Sequence, residues 1–252
     1  MLSPREIRRN ALRFSALRCL VDKTPGCCGE GRLGDADDSS EPRCPPARPR
    51  RRAVAIKRFY DGISGFRASG AGPDGRKLRP ARARVYGELA SAGVRQLIRA
   101  TGLSADDVFV DLGSGVGKVV LQVALAVPGV RCIGIEIDGA RHASACEALR
   151  RAEACGVLEP GRCVFWHGDI RQADFPPATV FFAHSTCFPA AMLGAVARRI
   201  AAQDQAATLV TTRRLTGRAG TLLAFVATRA CKLSWDRHHR MHLYRWRGGE
   251  AR

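Results

Sequence analysis

The residues best suited to chemistry stand in one short run, Asp111-Leu112-Gly113-Ser114-Gly115-Val116-Gly117-Lys118, directly after the apolar residues that begin at Val108. Glycines at alternate positions after a strand allow a backbone to approach a ligand closely. A P-loop would need a glycine in place of Leu112 and a Ser or Thr after the lysine. A dinucleotide fingerprint would need a glycine in place of Lys118. The run therefore predicts a ligand loop of another kind.

Two further acids stand at the ends of the next two predicted strands. Glu136 closes the apolar run that begins at Cys132, and Asp169 closes the run that begins at Val164. The carboxyl ends of parallel strands meet at one edge of a sheet, which is where such folds bind nucleotides. Together with the acid and the alternating glycines, this set is typical of S-adenosylmethionine-dependent methyltransferases.

The chemistry of that cofactor assigns each polar group a partner. We expect the Asp111 carboxylate near the ammonium group, and Gly113 and Gly115 along the methionine part. We expect Glu136 to accept hydrogen bonds from the ribose hydroxyls. Asp169 would receive the adenine amino group, and Ile170 would cover the adenine ring.

Alternation of strands and helices predicts the fold that must position these groups. We predict strands at 108–111, 131–137, 163–168, 179–184 and 207–213, and helices at 89–100, 117–127, 140–155 and 190–202. Two last strands, Thr221 to Trp235 and His242 to Trp246, would form a hairpin about the turn Asp236 to Arg240. The fold class is therefore α/β: a Rossmann-like class I methyltransferase with a mostly parallel seven-stranded sheet and an antiparallel terminal hairpin.

Composition divides the chain into three parts. Residues 1–52 are predicted to be a disordered basic tail, 53–84 a basic connector, and 85–252 the methyltransferase domain. The chain has 41 Lys and Arg against 23 Asp and Glu, a net charge of +18. This excess indicates a polyanionic partner such as nucleic acid or chromatin, contacted through the tail and connector. The alternative is an Arg-rich composition that leaves only a solvated basic face.

Further features concern environment. No run is apolar enough to cross a membrane. The cysteines are predicted to be reduced thiols of an intracellular protein. The protein is expected to be a monomer. The Arg-rich residues 1–20 resemble an organellar transit peptide, whereas residues 45–52 resemble a nuclear localisation signal, so both addresses stay open. His238, His239 and His242 lack an acid or thiol at a fixed spacing, and no metal site is expected.

Longer motifs resemble one family. Tyr86-Gly87-Glu88, the run from Phe109 to Ala124, Gly134-Ile135-Glu136 and Leu233-Ser234-Trp235 are similar to the disruptor-of-telomeric-silencing (Dot1-type) histone-lysine methyltransferases. The resemblance spans residues 85 to about 246. It implies S-adenosylmethionine as cofactor, histone H3 within the nucleosome as substrate, and a nuclear location. An RNA or small-molecule methyltransferase and a non-catalytic, cofactor-sensing chromatin-binding module are the alternatives.

The resemblance also implies residue roles. Tyr86 and Glu88 would fold over the cofactor, Lys118 would contact it, and the lysine channel would be lined by His184, Phe188 and Trp235. This chain departs from the family at several of these positions. Leu89 replaces a threonine after Tyr-Gly-Glu, Lys118 stands where many members have glutamine, and His184-Ser185-Thr186 replaces an Asn-Asn-Phe pattern.

Overall fold

A computed structural model describes residues 52–65, 75–76, 88–173, 176–234, 236 and 238–249. Its centre is a seven-stranded sheet with the order β3-β2-β1-β4-β5-β7-β6. The strands are β1 (Val108–Leu112), β2 (Arg131–Glu136), β3 (Cys163–His167), β4 (Val180–Ala183), β5 (Ala207–Thr211), β6 (Ala224–Cys231) and β7 (His239–Trp246). The helices are α1 (Arg52–Phe59), α2 (Ser91–Thr101), α3 (Lys118–Ala126), α4 (Gly139–Ala154), α5 (Ala190–Ala201) and α6 (Arg218–Leu222).

Strand pairing confirms the predicted fold class. β1 pairs in parallel with both β2 and β4, β2 with β3, and β4 with β5. β7 is antiparallel to both β5 and β6. The carboxyl ends of β1 to β5 therefore lie along one edge of the sheet, where the predicted acids stand.

Both faces of the sheet are buried, which explains the apolar strands. β1 is buried along its whole length. Its Phe109 packs into one hydrophobic cluster with residues of α2, α3 and α4, whereas Val110 packs into a second cluster with residues of α5. Helices on both faces of a mainly parallel sheet produce this pattern because alternate side chains point to opposite sides.

The two helices next to the predicted loop begin at defined caps. α3 begins after Gly117, whose φ of +80° favours glycine. α4 begins after Asp138, whose carboxylate accepts hydrogen bonds from the backbone N–H groups of Ala140 and Arg141 at 3.1 Å. The Asp138 carboxylate thus satisfies backbone donors that have no partner inside the helix, whereas Gly117 provides the left-handed backbone turn from which α3 starts.

The terminal hairpin differs from its predicted bounds. β6 ends at Cys231, not Trp235, because the next residues pair with the chain before α2. The N–H of Ala90 donates to Lys232 O at 3.0 Å, and the N–H of Ser234 donates to Glu88 O at 3.1 Å. β7 begins earlier than predicted, at His239, and the residues around Thr221 form α6 instead of a strand.

The amino-terminal part that the structure describes adds a helix to the domain. α1 lies within the segment predicted to be a connector, and its last residue Phe59 and the following Tyr60 are buried in the α2–α3–α4 cluster. Arg151 of α4 donates a hydrogen bond from Nη1 to Asp61 O at 2.8 Å. The predicted tail up to residue 51 and most of residues 66–87 lie outside the described residues.

Two expectations from the composition, on cysteines and on membrane spans, can be compared with the structure within the described residues. There, the cysteines that carry thiols outside any disulfide are Cys132, Cys146, Cys155, Cys163, Cys187 and Cys231. No helix in this part of the chain has the length and apolar character needed to span a membrane.

Candidate functional site

The glycine loop joins β1 to α3 and bends sharply back on itself. Gly113, Gly115 and Gly117 all have positive φ, at 86°, 56° and 80°. The N–H groups of Gly113 and Ser114 both donate to Ile135 O of β2, at 2.8 and 2.9 Å. The loop therefore lies against the end of β2, and only residues without a Cβ adopt its backbone conformation at low cost.

Glu136 fastens this loop to β2. Its carboxylate accepts one hydrogen bond from Gly115 N–H and one from Asp138 N–H, each at 2.8 Å. Burial raises the pKa of Glu136, while these two hydrogen bonds and the nearby Arg141 oppose that rise. A carboxylate has about four acceptor sites. One of them therefore holds the loop and one holds the start of the segment before α4, and the others can still accept hydrogen bonds from a ligand.

Asp111 is a buried acid at the base of the same loop. Only 2% of its surface is exposed. Burial, and then the nearby Glu136 carboxylate, raise its pKa to about 8. A buried pair of acids is costly unless a cation compensates it. A cationic group of a ligand at this position would compensate the pair.

A cavity of about 470 Å³ is lined by residues of α1, by the chain from Glu88 to Ser91 and by the start of α3. Lys118, the first residue of α3, places its ammonium 2.5 Å from a Glu88 carboxylate oxygen. The same ammonium lies 5.4 Å from the centre of the Tyr60 ring. The structure thus brings together two predicted cofactor residues, Glu88 and Lys118, and adds Tyr60, which the sequence indicated only as part of the connector.

Asp169 and Ile170, predicted to bind adenine, both make contacts within the chain. Asp169 accepts hydrogen bonds from the Arg171 guanidinium and from Arg171 N–H. Burial raises its pKa, but these bonds outweigh burial and leave the pKa below its usual range. Ile170 is buried in the α5-side cluster. An adenine amino group would therefore compete with Arg171 for Asp169, and little of Ile170 is left to cover a ring.

The segment after β4 reaches the glycine loop from the other side. A Cβ atom built at Gly113 would lie 2.9 Å from Cζ of Phe188, so that ring covers the first glycine. His184 precedes a short 3-10 helix, Ser185–Cys187. Burial, and then the nearby His239, lower the pKa of His184 to about 4. His184 is therefore a neutral imidazole at physiological pH.

Two predicted site residues, Tyr86 and Trp235, lie outside the described residues. Residues close to them in sequence do contact each other. Glu88 O accepts the hydrogen bond from Ser234 N–H, and Leu89 forms a bridge with Leu233. His239, beyond the turn, places its Nδ1 3.1 Å from the Asp236 carboxylate. No cluster of potential metal ligands occurs within the described residues.

Comparison with known proteins decides the family. Residues 73–224 match the family described as "Histone methylation protein DOT1". The chain belongs to the DOT1 family. That match contains the glycine loop, Glu88, Lys118, Glu136 and the residues after β4, and it confirms the family resemblance of the sequence motifs.

Individual DOT1-family relatives match over shorter stretches. The chain is 47% identical over 60 residues to an H3 lysine-79 specific histone-lysine N-methyltransferase of Drosophila melanogaster, covering 24% of this chain and 3% of that protein. It is 42% identical over 88 residues to the enzyme of the same name from Emericella nidulans, covering 32% and 15%. The chain thus spans a small fraction of these relatives.

A solved structure is similar in fold. The crystal structure of TrmN from Thermus thermophilus aligns with a TM-score of 0.51 at 20% identity, over 68% of this chain and 52% of that chain. At this identity the likeness concerns the fold alone. It agrees with the mainly parallel, seven-stranded arrangement of the DOT1-family chain.

Sequence reasoning missed the contribution of Tyr60 to the site. Tyr60 lies before the matched residues 73–224, and α1 carries no glycine or acid pattern that would mark it. The only signal was a pair of large aromatic residues, Phe59 and Tyr60, in an otherwise basic segment. Such a pair indicates burial but does not indicate what the buried group faces.

Proposed function

We propose that this protein is an S-adenosylmethionine-dependent methyltransferase that methylates a lysine side chain of histone H3 in nucleosomes. The observation that carries the proposal is the buried pair Asp111 and Glu136, at the ends of β1 and β2 beside the three-glycine loop, within the region that matches the DOT1 family. Asp111 fits the cofactor's ammonium group, and the free acceptor sites of Glu136 fit a ribose diol. Membership of the family supports the choice of a histone lysine as acceptor.

The bound cofactor supplies an electrophilic methyl group on a sulfonium. The protein must present an uncharged amine in line with that methyl, because an ammonium has no lone pair to form the new C–N bond. As the C–N bond forms, the electron pair of the C–S bond stays on sulfur, and the methylated amine releases its proton to solvent. Positioning is therefore the main task of the site.

The residues after β4 support this task. Phe188 covers Gly113, and His184, a neutral imidazole, follows β4 at the same edge of the sheet. An apolar wall and an uncharged imidazole disfavour an ammonium and favour the neutral amine, because desolvation lowers the pKa of a lysine. We assign these two residues, with Trp235, to the wall of the lysine channel.

We further propose that the partner surface includes nucleosomal DNA and that the protein acts in chromatin as a monomer. Lys57 and Arg58 are exposed on α1, and they continue the basic run that contains Arg48 and Arg50 to Arg52. A row of cations of this kind favours phosphate contacts that are independent of base sequence.

Transfer of a labelled methyl group tests the proposal. The purified chain is incubated with labelled cofactor and, in parallel, with nucleosomes, free histones, total RNA or no acceptor. We expect label on histone H3 of nucleosomes. Label on RNA would contradict the histone assignment, and tight cofactor binding without transfer to any acceptor would identify a non-catalytic module.

A further inference from the structure

The side chain of Tyr60 ends in a buried hydroxyl group. Within the described residues, its oxygen is inaccessible to solvent and has no hydrogen-bond partner. Leaving a buried hydroxyl unpaired costs free energy, and most buried polar groups in proteins are paired. A ligand that binds beside the hydroxyl would remove this cost.

The surroundings of the hydroxyl indicate which ligand group would pair with it. Burial, and then the carboxylate of Glu88, raise the pKa of Tyr60, and Asp111 adds to the rise. The group therefore stays protonated and acts as a donor. Because it makes no hydrogen bond to either acid, its donor can pair with an acceptor group of a ligand.

The adjoining cavity contains a cation as well. Lys118 and Glu88 form an ion pair on the wall of the cavity, and Ile56, Gln122 and Ser234 line it too. An ammonium has three N–H donors, and the hydrogen bond to Glu88 uses one of them. The cavity is thus lined by both Tyr60 and Lys118, and the Lys118 ammonium lies 5.4 Å from the centre of the Tyr60 ring.

We propose that the Tyr60 hydroxyl and the Lys118 ammonium together bind the α-carboxylate of the cofactor's methionine part. This inference rests on the proposed function and names a cofactor-binding residue directly after α1, before the residues that match the family.

Two ligands that differ only in the carboxylate test the inference. Calorimetry compares S-adenosylmethionine with its decarboxylated form for the wild type, for Tyr60→Phe and for Lys118→Met. We expect Tyr60→Phe to weaken binding of S-adenosylmethionine by roughly ten-fold or more, because the hydrogen bond to a charged group is removed. Binding of the decarboxylated ligand is expected to stay within about two-fold, since the removed hydroxyl has nothing to bind there.

Controls separate this role from packing. Tyr244→Phe removes a buried hydroxyl at a distant position, where it accepts a hydrogen bond from Leu215 N–H at 2.9 Å, and it should change the affinity of neither ligand. The double variant Tyr60→Phe/Lys118→Met should weaken S-adenosylmethionine binding by less than the sum of the two single effects, because both groups bind one carboxylate. Without ligand, Tyr60→Phe should melt no lower than the wild type, since the hydroxyl makes no hydrogen bond there.

The outcomes are distinct. Equal weakening of both ligands by Tyr60→Phe would make Tyr60 a packing residue and overturn the inference, as would unchanged binding of both. A wild-type chain that binds neither ligand would instead contradict the proposed function. Selective weakening of the carboxylate-bearing ligand supports both.

Discussion

The ring of Phe188 covers Gly113 so closely that a Cβ atom at position 113 would lie 2.9 Å from Cζ of the ring. The first aromatic residue after β4 thus packs against the first glycine of the loop and leaves no room there for a side chain. The glycine belongs to the expected path of the cofactor and the aromatic residue to the expected lysine channel. The contact therefore places the two halves of the proposed site side by side.

This contact predicts the effect of Gly113→Ala. The substitution forces an L-residue into a φ of +86° and a methyl group against the Phe188 ring. We expect it to lower the free energy of unfolding by about 1–2 kcal/mol from the backbone alone, and by more from the contact. Chemical denaturation measures this decrease, and calorimetry measures the accompanying fall in cofactor affinity.

Gly102→Ala is the matched control. Gly102 also has a positive φ, of +67°, but a Cβ atom there would meet nothing within 4 Å. It therefore reports the backbone cost without the contact. If Gly113→Ala costs no more stability than Gly102→Ala, the close approach of Phe188 has no energetic weight.

A second prediction concerns Asp111 and stability. Its pKa is about 8 in the folded chain against an ordinary value of 3.8. Between these values the native state holds a proton that the unfolded state releases, so stability falls as the pH rises from about 4 to about 8. Asp111→Asn removes this dependence. Without cofactor, the variant should match the wild type near pH 4 and be more stable by about 2 kcal/mol or more at pH 8, or about 4–8 °C in melting temperature.

Cofactor should reverse this order. The ammonium group compensates the Asp111 carboxylate in the wild type and has no charged partner in the variant. At a fixed cofactor concentration that saturates the wild type, we expect the melting temperature of the wild type to rise by more than that of the variant. Its affinity for the wild type should rise about ten-fold per pH unit from pH 6 towards pH 8, because Asp111 must first lose its proton. A wild type and variant with parallel pH profiles would show that Asp111 is not the titrating group.

Glu136 is expected to have two separable effects. Glu136→Ala removes the acceptors for Gly115 N–H and Asp138 N–H as well as those for the ribose. It should cost about 1–3 kcal/mol of stability and at least about ten-fold in cofactor affinity. Glu136→Gln keeps one carbonyl acceptor and should recover part of the stability. Equal melting temperatures for the wild type and Glu136→Ala would contradict the tethering of the glycine loop.

The sequence predicted the parts of this molecule in which local pattern and topology agree. The positions of strand-end acids such as Asp111 and Glu136 can be predicted because the carboxyl ends of parallel strands lie at one edge of the sheet. The hydrogen-bond partner of a side chain cannot be predicted in this way. Asp169 lies where predicted, yet its neighbour Arg171 engages it, and the end of β6 is decided by pairing with Glu88 to Ala90, which stand far away in sequence. Such long-range contacts leave no periodic signal.

The basic arm gives a prediction about salt. Neutralising Arg48, Arg50, Arg51, Arg52, Lys57 and Arg58 should weaken nucleosome binding and reduce the slope of log affinity against log salt by about 0.9 for each DNA phosphate that the arm no longer neutralises. Arg95→Ala/Arg99→Ala, which removes two exposed charges from α2, is the control and should leave the slope nearly unchanged. An unaltered slope in the six-fold variant would assign the arm to a sorting signal or a solvated tail.

The last prediction concerns Trp235 and the proposed lysine channel. Ser234, the residue before it, is hydrogen-bonded to Glu88 and lines the same cavity as Lys118. Glu88 and Lys118 are both predicted cofactor residues. If Trp235 forms a wall of the channel, Trp235→Ala should admit water and misalign the amine, so turnover falls while cofactor affinity stays nearly constant. If Trp235 only fills the core, the same change should cost about 3–5 kcal/mol of stability and impair binding and turnover together.

Trp246→Ala is the comparison, because Trp246 ends β7 and donates its indole N–H to Gln203 O at 2.8 Å, remote from the glycine loop. Melting temperature, cofactor affinity and methyl transfer measured on both variants distinguish the roles, and a stable, fully active Trp235→Ala protein would refute the channel.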